Sequence, residues 1–353
     1  MNYRKASWWQ KAPNNKILCT LCPRRCRIGP GKAGFCYIRQ NIDNELVTLG
    51  YGRPSGFAVD PIEKKPLSHF LPGSQTLSFG TVGCNLGCKF CQNWDMSKAK
   101  AHDRAGYKEV RPEDVVKLAL QENCDSISFT YNEPTIFGEY VLDISKLARK
   151  EGIKTVMVTA GYISEEARAE VYENIDAANV DLKAFSEDFY RKMTISSLKP
   201  VLDTIDWLVN RKKIWVELTT LLIPELNDSE HEITQMCKWI IDTLGPDVPL
   251  HFTAFHPDYK LLDSVRTPLA TLQRATKIAR EIGIRYIFLG NVHSEEGQST
   301  YCHNCNELLI RRDWHDLGEY RLLGDRCPDC KTKIPGVFPK DPPGRRIAFR
   351  KRV

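Results

Sequence analysis

Through the middle of the chain, apolar runs of strand length alternate with longer amphipathic stretches. The runs fall at 77–81 (LSFGT), 127–131 (ISFTY), 154–160 (KTVMVTA), 178–183 (ANVDLK), 213–221 (KIWVELTTL), 249–255 (PLHFTAF) and 285–290 (RYIFLG). They are rich in β-branched and aromatic residues, as strands are. The gaps at 112–123, 137–149, 164–174, 196–210, 229–244 and 267–281 read as helices. Pro112 followed by Glu113 and Asp114 suits a helix N-terminus, and Ser164 and Ser229, each before a glutamate, suit N-caps. Alternating strands and helices imply βαβ units, right-handed crossovers and a parallel sheet. Seven strands predict an α/β fold with a partial barrel of about six βα units, not a closed eightfold one. Residues 50–75, rich in Gly and Pro, read as a structured linker into the first barrel strand. The expected layout is an N-terminal module at 1–50, the linker at 51–75, the barrel at 76–298, a small module at 299–338 and a basic tail at 339–353.

Composition narrows the class. Of 353 residues, 27% are charged and 42% hydrophobic, a globular balance that excludes global disorder and a fibrous repeat. No apolar run approaches the roughly 20 residues of a membrane-spanning helix. The opening MNYRKASWWQKAPNNK lacks the apolar stretch of a secretory signal. A cytoplasmic protein without a membrane partner is expected. The net charge of +6 is uneven: residues 1–40 carry +9 and 340–353 carry +5, leaving −8 for the body. Basic ends suit either a solvated surface or contact with nucleic acid or an acidic protein.

The thirteen cysteines carry the chemistry. In a reducing compartment, clustered cysteines read as metal ligands. Eleven form three groups: Cys19, Cys22, Cys26 and Cys36; Cys84, Cys88 and Cys91; Cys302, Cys305, Cys327 and Cys330. Cys124 and Cys237 read as buried apolar residues. The middle group, in TVGCNLGCKFCQNWD, directly follows the first strand, at the barrel mouth where chemistry is built. A [4Fe–4S] cluster normally takes four thiolates, so three leave one iron open, the logic of a catalytic site. A zinc ion borrowing a fourth ligand is the alternative. Cys302-x2-Cys305 and Cys327-x2-Cys330 have the spacing of a zinc ribbon, with a second iron–sulfur cluster as the alternative. The N-terminal four fit zinc or an auxiliary cluster equally.

The Cys-x3-Cys-x2-Cys loop, with Phe90 before its last cysteine, resembles that of the radical S-adenosylmethionine (SAM) superfamily. The resemblance implies that the open iron binds the amino and carboxylate groups of SAM. The reduced cluster would cleave SAM to a 5′-deoxyadenosyl radical that abstracts hydrogen from substrate. It also implies roles for residues behind successive strands. Glu133, in Tyr131-Asn132-Glu133-Pro134, would accept a hydrogen bond from the methionyl amino group. Lys183, in Asp181-Leu182-Lys183, would pair with its carboxylate. Asn93 matches an Asn after the cysteine loop of pyruvate formate-lyase activating enzymes, and Thr159-Ala160-Gly161 resembles their Asp-Thr-Asn-Gly run. Val158 stands in place of the Asp, which weakens any cation site there. Phe255-His256 resembles a Tyr-His pair on the adenosine side. Structural readings remain beside these: an Asp181–Lys183 ion pair, and hydrogen-bonded core histidines at His251 and His256. Lys64, Lys65 and His69 suit either a substrate wall or a basic turn.

Motifs along almost the whole chain (CxLCPRRC, DPIEKKPLSHFLPGS, TYNEPTIF, VDLKAF, IPELND and the closing CPDCKTKIPGVF) resemble the radical SAM member of the AmmeMemoRadiSam system. That implies Memo-like and AMMECR-like companions, a one-electron reductant of the flavodoxin or ferredoxin type, and an unidentified substrate. Glycyl-radical activation of a partner enzyme is the alternative reaction. A zinc-stapled binding protein is the alternative class, but a binder needs neither a three-thiolate loop nor Glu133 and Lys183 beside it.

Overall fold

The computed structural model describes residues 3–100, 109–341, 343 and 351–353. Seven parallel strands lie in chain order: β1 (Gln75–Gly80), β2 (Ser126–Phe129), β3 (Lys154–Thr159), β4 (Ala177–Asp181), β5 (Trp215–Leu222), β6 (Leu250–Ala254) and β7 (Ile287–Gly290). β1 and β7 are not neighbours in the sheet, so the barrel is partial. Every residue of β2 and β6 is buried, as expected of parallel strands covered on both faces. Polar side chains inside are paired: Thr76 Oγ1 and Ser128 Oγ lie 2.7 Å apart across β1 and β2.

The helices lie between the strands as the pattern predicts. Helix Gly138–Lys150 buries Tyr140, Val141, Ile144 and Ala148, one helical face. Ser229 caps Glu230–Leu244, accepting from the Glu232 amide at 3.2 Å. Ser164 does not cap its helix through its side chain; its hydroxyl donates to the Thr20 carbonyl and so ties the N-terminal module to the barrel.

The stretch expected as a linker contains a strand, Ser55–Pro61, paired antiparallel with β1 and bulged between Ser55 and Ala58. Gly56 and Pro61 weaken its sequence signal, yet an outer strand tolerates both Pro and a bulge. Lys351–Arg352 from the basic tail adds outside it; residues 342 and 344–350 of that tail lie outside the described residues.

The N-terminal residues form two three-stranded sheets, Trp9–Ala12 with Lys16–Cys19 and Arg27–Ile28, and Arg4–Lys5 with Glu45–Thr48 and Arg39–Ile42. Ile17, Leu21, Ile28, Ile38 and Leu46 belong to the barrel's own core. The C-terminal sheet (Thr300–Tyr301, Leu308–Asp313, Asp316–Tyr320) packs around a separate small core, to which Tyr286 and Phe288 of the barrel edge contribute. Among the described residues no helix is long and apolar enough to cross a membrane.

Candidate functional site

A cavity of about 1590 Å³ occupies the barrel mouth and interior. The loop after β1 brings Cys84, Cys88, Phe90, Cys91 and Asn93 to its wall. That loop is held from several sides. Asn132 donates from Nδ2 to Thr81 Oγ1 (3.1 Å) and to the Gly83 carbonyl (2.8 Å), and its Oδ1 accepts from the Thr81 amide. Gly87 and Lys89 amides donate to the Thr194 and Met193 carbonyls. Lys98 Nζ donates to the Leu86 carbonyl at 2.8 Å, and Ser97 Oγ lies 3.2 Å from Cys91 Sγ. Gly83 has φ +85°, and a Cβ there would lie 2.0 Å from the Cys36 carbonyl oxygen, so only glycine fits.

The donor set suits an iron–sulfur cluster. Burial pushes the Cys88 thiol up to about 11, with Lys183 pulling the other way, and burial raises Cys84 as well. Free thiolates are costly in such a place, and a metal-bound thiolate relieves the cost.

Behind β2, Glu133 is fully buried. Its Oε1 accepts from the Thr135 amide and hydroxyl (3.1 and 2.7 Å) and from Thr159 Oγ1 (2.6 Å), and its Oε2 from the Ala160 amide (2.7 Å). Burial still lifts its carboxyl above the usual range. Among the described residues Oε2 accepts from the Ala160 amide alone, which leaves a lone pair for another donor. Thr159 therefore acts on Glu133. Behind β4, Lys183 Nζ pairs with Asp181 Oδ2 at 3.0 Å. Burial works against the Lys183 charge, but Asp181 beside it prevails, and the amine holds its proton more tightly than usual. Glu133, Thr159, Asp181 and Lys183 all line the cavity.

Other expected residues sit differently. His256 is not on the cavity wall; its exposed ring pairs through Nδ1 with Gln92 Nε2 at 3.1 Å, because the buried neighbour Phe255 takes the inward position. Asn93 Nδ2 donates to the Tyr131 carbonyl at 2.9 Å. Lys64 and Lys65 reach the wall, held on Asp60 at 3.0 and 2.7 Å, and burial opposed by these lysines leaves the Asp60 carboxyl well below its ordinary range. His69 lies behind the wall, its Nδ1 2.8 Å from the Pro335 carbonyl and its Nε2 3.2 Å from Thr300 Oγ1. His251 is buried, 2.7 Å from Glu217, and it also lines the cavity.

Three features escaped the sequence reading. Tyr131, in a left-handed turn (φ 69°), donates its hydroxyl to Asp60 at 2.9 Å. The hairpin tip at residues 313–316 of the C-terminal module lines the same cavity. Glu217, the lone acid inside the apolar strand KIWVELTTL, accepts from the Ser68 and His69 amides, at 2.9 and 2.7 Å, and from Trp215 Nε1. A charge in such a run was the available signal for it.

The C-terminal cysteines bring their four sulfurs within 4.8 Å of one another. Cys302 and Cys330 are 3.5 Å apart, and Cys305 and Cys327 are 3.6 Å apart. Thiolates around one tetrahedral ion, with metal–sulfur bonds of about 2.3 Å, stand about 3.8 Å apart, so this group can hold a single metal ion.

A partial parallel barrel with this mouth defines an α/β-barrel enzyme. A sequence model of the radical SAM superfamily matches residues 79–237. An uncharacterized protein of Methanocaldococcus jannaschii is 44% identical over 333 residues, covering 94% of this chain and 98% of its own. The pyruvate formate-lyase-activating enzyme of Clostridium pasteurianum is 27% identical over 212 residues, 54% of this chain and 84% of that enzyme. Among solved structures, a radical SAM methyltransferase from Sphaerobacter thermophilus shares the fold with a TM-score of 0.50, at 15% identity over 63% of this chain and 68% of that one. Residues 79–237 form a radical SAM domain, and enzymes of that superfamily use a [4Fe–4S] cluster and SAM with a reductant and a substrate.

Proposed function

We propose that Cys84, Cys88 and Cys91 hold the catalytic cluster, and that SAM sits between Glu133 and Lys183 in the cavity. When bound, the cluster and SAM supply a hydrogen-abstracting 5′-deoxyadenosyl radical. The chain's part is binding and orientation. Glu133, a buried carboxyl with a free lone pair, takes the methionyl ammonium, and Lys183 takes the carboxylate. Thr159, Thr135 and the Ala160 amide fix Glu133, and Asp181 fixes Lys183. Asn93 steadies the loop end against Tyr131. His256, exposed beside Gln92, is left out of the SAM site.

The observation that carries this reading is the convergence of three cysteines, Glu133 and the Asp181–Lys183 pair on one cavity. The cavity extends beyond them to Lys64, Trp314 and His315, which gives a substrate its own room. The relatives named pyruvate formate-lyase-activating enzyme support a second reading, activation of a glycyl-radical enzyme. The AmmeMemoRadiSam resemblance adds Memo-like and AMMECR-like companions. It also fits a reducing cytoplasm with a flavodoxin- or ferredoxin-type donor and zinc at Cys302, Cys305, Cys327 and Cys330.

The test is 5′-deoxyadenosine release from SAM under dithionite without oxygen. Wild type forms it, Cys88→Ala does not, and Lys183→Met keeps its iron but needs more SAM. Undiminished release by Cys88→Ala rejects the site.

A further inference from the structure

The three cysteine groups differ in how far apart they hold their sulfurs. The C-terminal four converge within 4.8 Å, the geometry of one shared ion. Among the described residues neither of the other groups gathers three sulfurs that closely. On the function proposed above, the barrel loop holds a cubane, which gives each thiolate its own iron and so keeps the sulfurs apart. The N-terminal group also does not draw three sulfurs within that distance, and it has one more thiolate. Cys19, Cys22, Cys26 and Cys36 stand around a single small cavity walled elsewhere by apolar side chains such as Leu21 and Ile136.

A second observation concerns Arg39 on that wall. It is buried, and its two terminal nitrogens reach Glu139 and the Ser7 carbonyl, but its Nε–H has no acceptor among the described residues. A cluster with four thiolates is anionic and its sulfurs accept hydrogen bonds. A zinc ion closed by the same thiolates would require the sulfurs to draw together.

We propose that the N-terminal cavity is the site of a second [4Fe–4S] cluster, fully ligated by Cys19, Cys22, Cys26 and Cys36. The site abuts the catalytic loop. Asn85, next to Cys84, forms part of its wall, and Arg24 donates to the Asn85 carbonyl. The Cys36 carbonyl presses on Gly83, on the other side of Cys84. The second cluster lies against the back of the loop that carries the first, close enough for their reduced spins to interact. With all its irons ligated, it has no open position for SAM.

The test uses the full chain, reconstituted with iron and sulfide without oxygen. Wild type should hold about eight irons and eight sulfides. The variant Cys84→Ala/Cys88→Ala/Cys91→Ala should keep about four of each, with a reduced electron paramagnetic resonance signal that SAM does not alter. Cys22→Ser/Cys26→Ser should keep about four irons whose signal SAM does alter, and should lose the line broadening seen when both clusters are reduced. Retention of zinc, or of no metal, by the barrel-loop variant overturns the proposal. Because that readout needs neither SAM cleavage nor a barrel cluster, it stands or falls separately from the function proposed above. If Cys22→Ser/Cys26→Ser does not fold, the barrel-loop variant alone decides.

Discussion

The two flanking cysteine modules meet the barrel by different means. The N-terminal one contributes Ile17, Leu21, Ile28 and Ile38 to the barrel's core and is locked there by Arg39, paired with Glu139 at 3.0 Å where both are almost fully buried. The C-terminal one keeps a core of its own, built on Leu309, Ile310, Leu317, Leu322 and Ile334. It meets the barrel through Tyr286 and Phe288, which join that core, and through a polar seam: Arg312 near Glu63 at 3.7 Å, Arg312 on the Ser68 carbonyl at 2.7 Å, and His69 between Pro335 and Thr300. A segment this small cannot bury enough apolar surface to fold alone, so a metal ion held by its four cysteines would contribute what the core lacks. The N-terminal module has the barrel's core to draw on.

The strongest way to break this contrast is to remove the C-terminal cysteine site. Structural zinc contributes on the order of 10–16 kcal/mol to small modules. Cys302→Ser/Cys327→Ser should lose one metal ion per chain and become open to proteolysis within 299–338, while the barrel keeps its iron and its cooperative unfolding. Cleavage spread over the whole chain would show the module to be as integrated as its N-terminal counterpart.

The next test compares the two buried pairs. Removing one partner of a buried ion pair costs about 3–5 kcal/mol, because the other charge is stranded. Arg39→Met and Arg312→Met should both lose stability on that scale in urea. They should differ in kind: Arg39→Met lowers the barrel's own transition, and Arg312→Met releases the C-terminal module first. The Arg312–Glu63 pair is already imperfect. Burial lifts the Glu63 carboxyl above its usual range despite Arg312, and Glu63 Oε2 has no partner among the described residues. Glu63→Leu/Arg312→Met should therefore recover much of the loss.

The barrel was legible because its strands are apolar on both faces and its helices on one, patterns that local sequence carries. The three-cysteine loop was legible for a similar reason, since its ligands lie within eight residues of one chain segment. What holds that loop was not. Asn132 fastens it from behind β2, and Gly83 meets Cys36, contacts between residues distant in sequence. The strand Ser55–Pro61 was hidden by its own Gly and Pro, and its outer partner Lys351–Arg352 comes from the far end of the chain. Hydrophobic pattern likewise could not tell that Phe255, not His256, turns inward. The hairpin tip at Trp314 and His315 reaches the cavity because the C-terminal module docks at the barrel's open edge, a relation with no local signature.

The smallest effect concerns pH and the seam. Burial, opposed by nearby Glu217, depresses His69 to about 4 from an ordinary value of 6.5. Between those values the unfolded chain binds a proton that the folded chain refuses, so this group favours unfolding as pH falls through that window. Its contribution is nil above about pH 6.5 and grows to at most about 3 kcal/mol near pH 4, at about 1.4 kcal/mol per unit. Glu217 acts in the same sense, because burial is outweighed by His251 and its other partners and its carboxyl sits below the usual range. His315, depressed to about 4 by burial beside Lys64 and Lys65, adds to the slope. The readout is therefore a difference. His69→Gln should unfold with a shallower pH dependence than wild type from 6.5 down to 4, and the two should run parallel above pH 7. Because His69 touches Thr300 and Pro335, acid should loosen the C-terminal module before the N-terminal one, seen as earlier amide exchange in 299–338. Simultaneous exchange in both would mean that the seam does not set the acid limit.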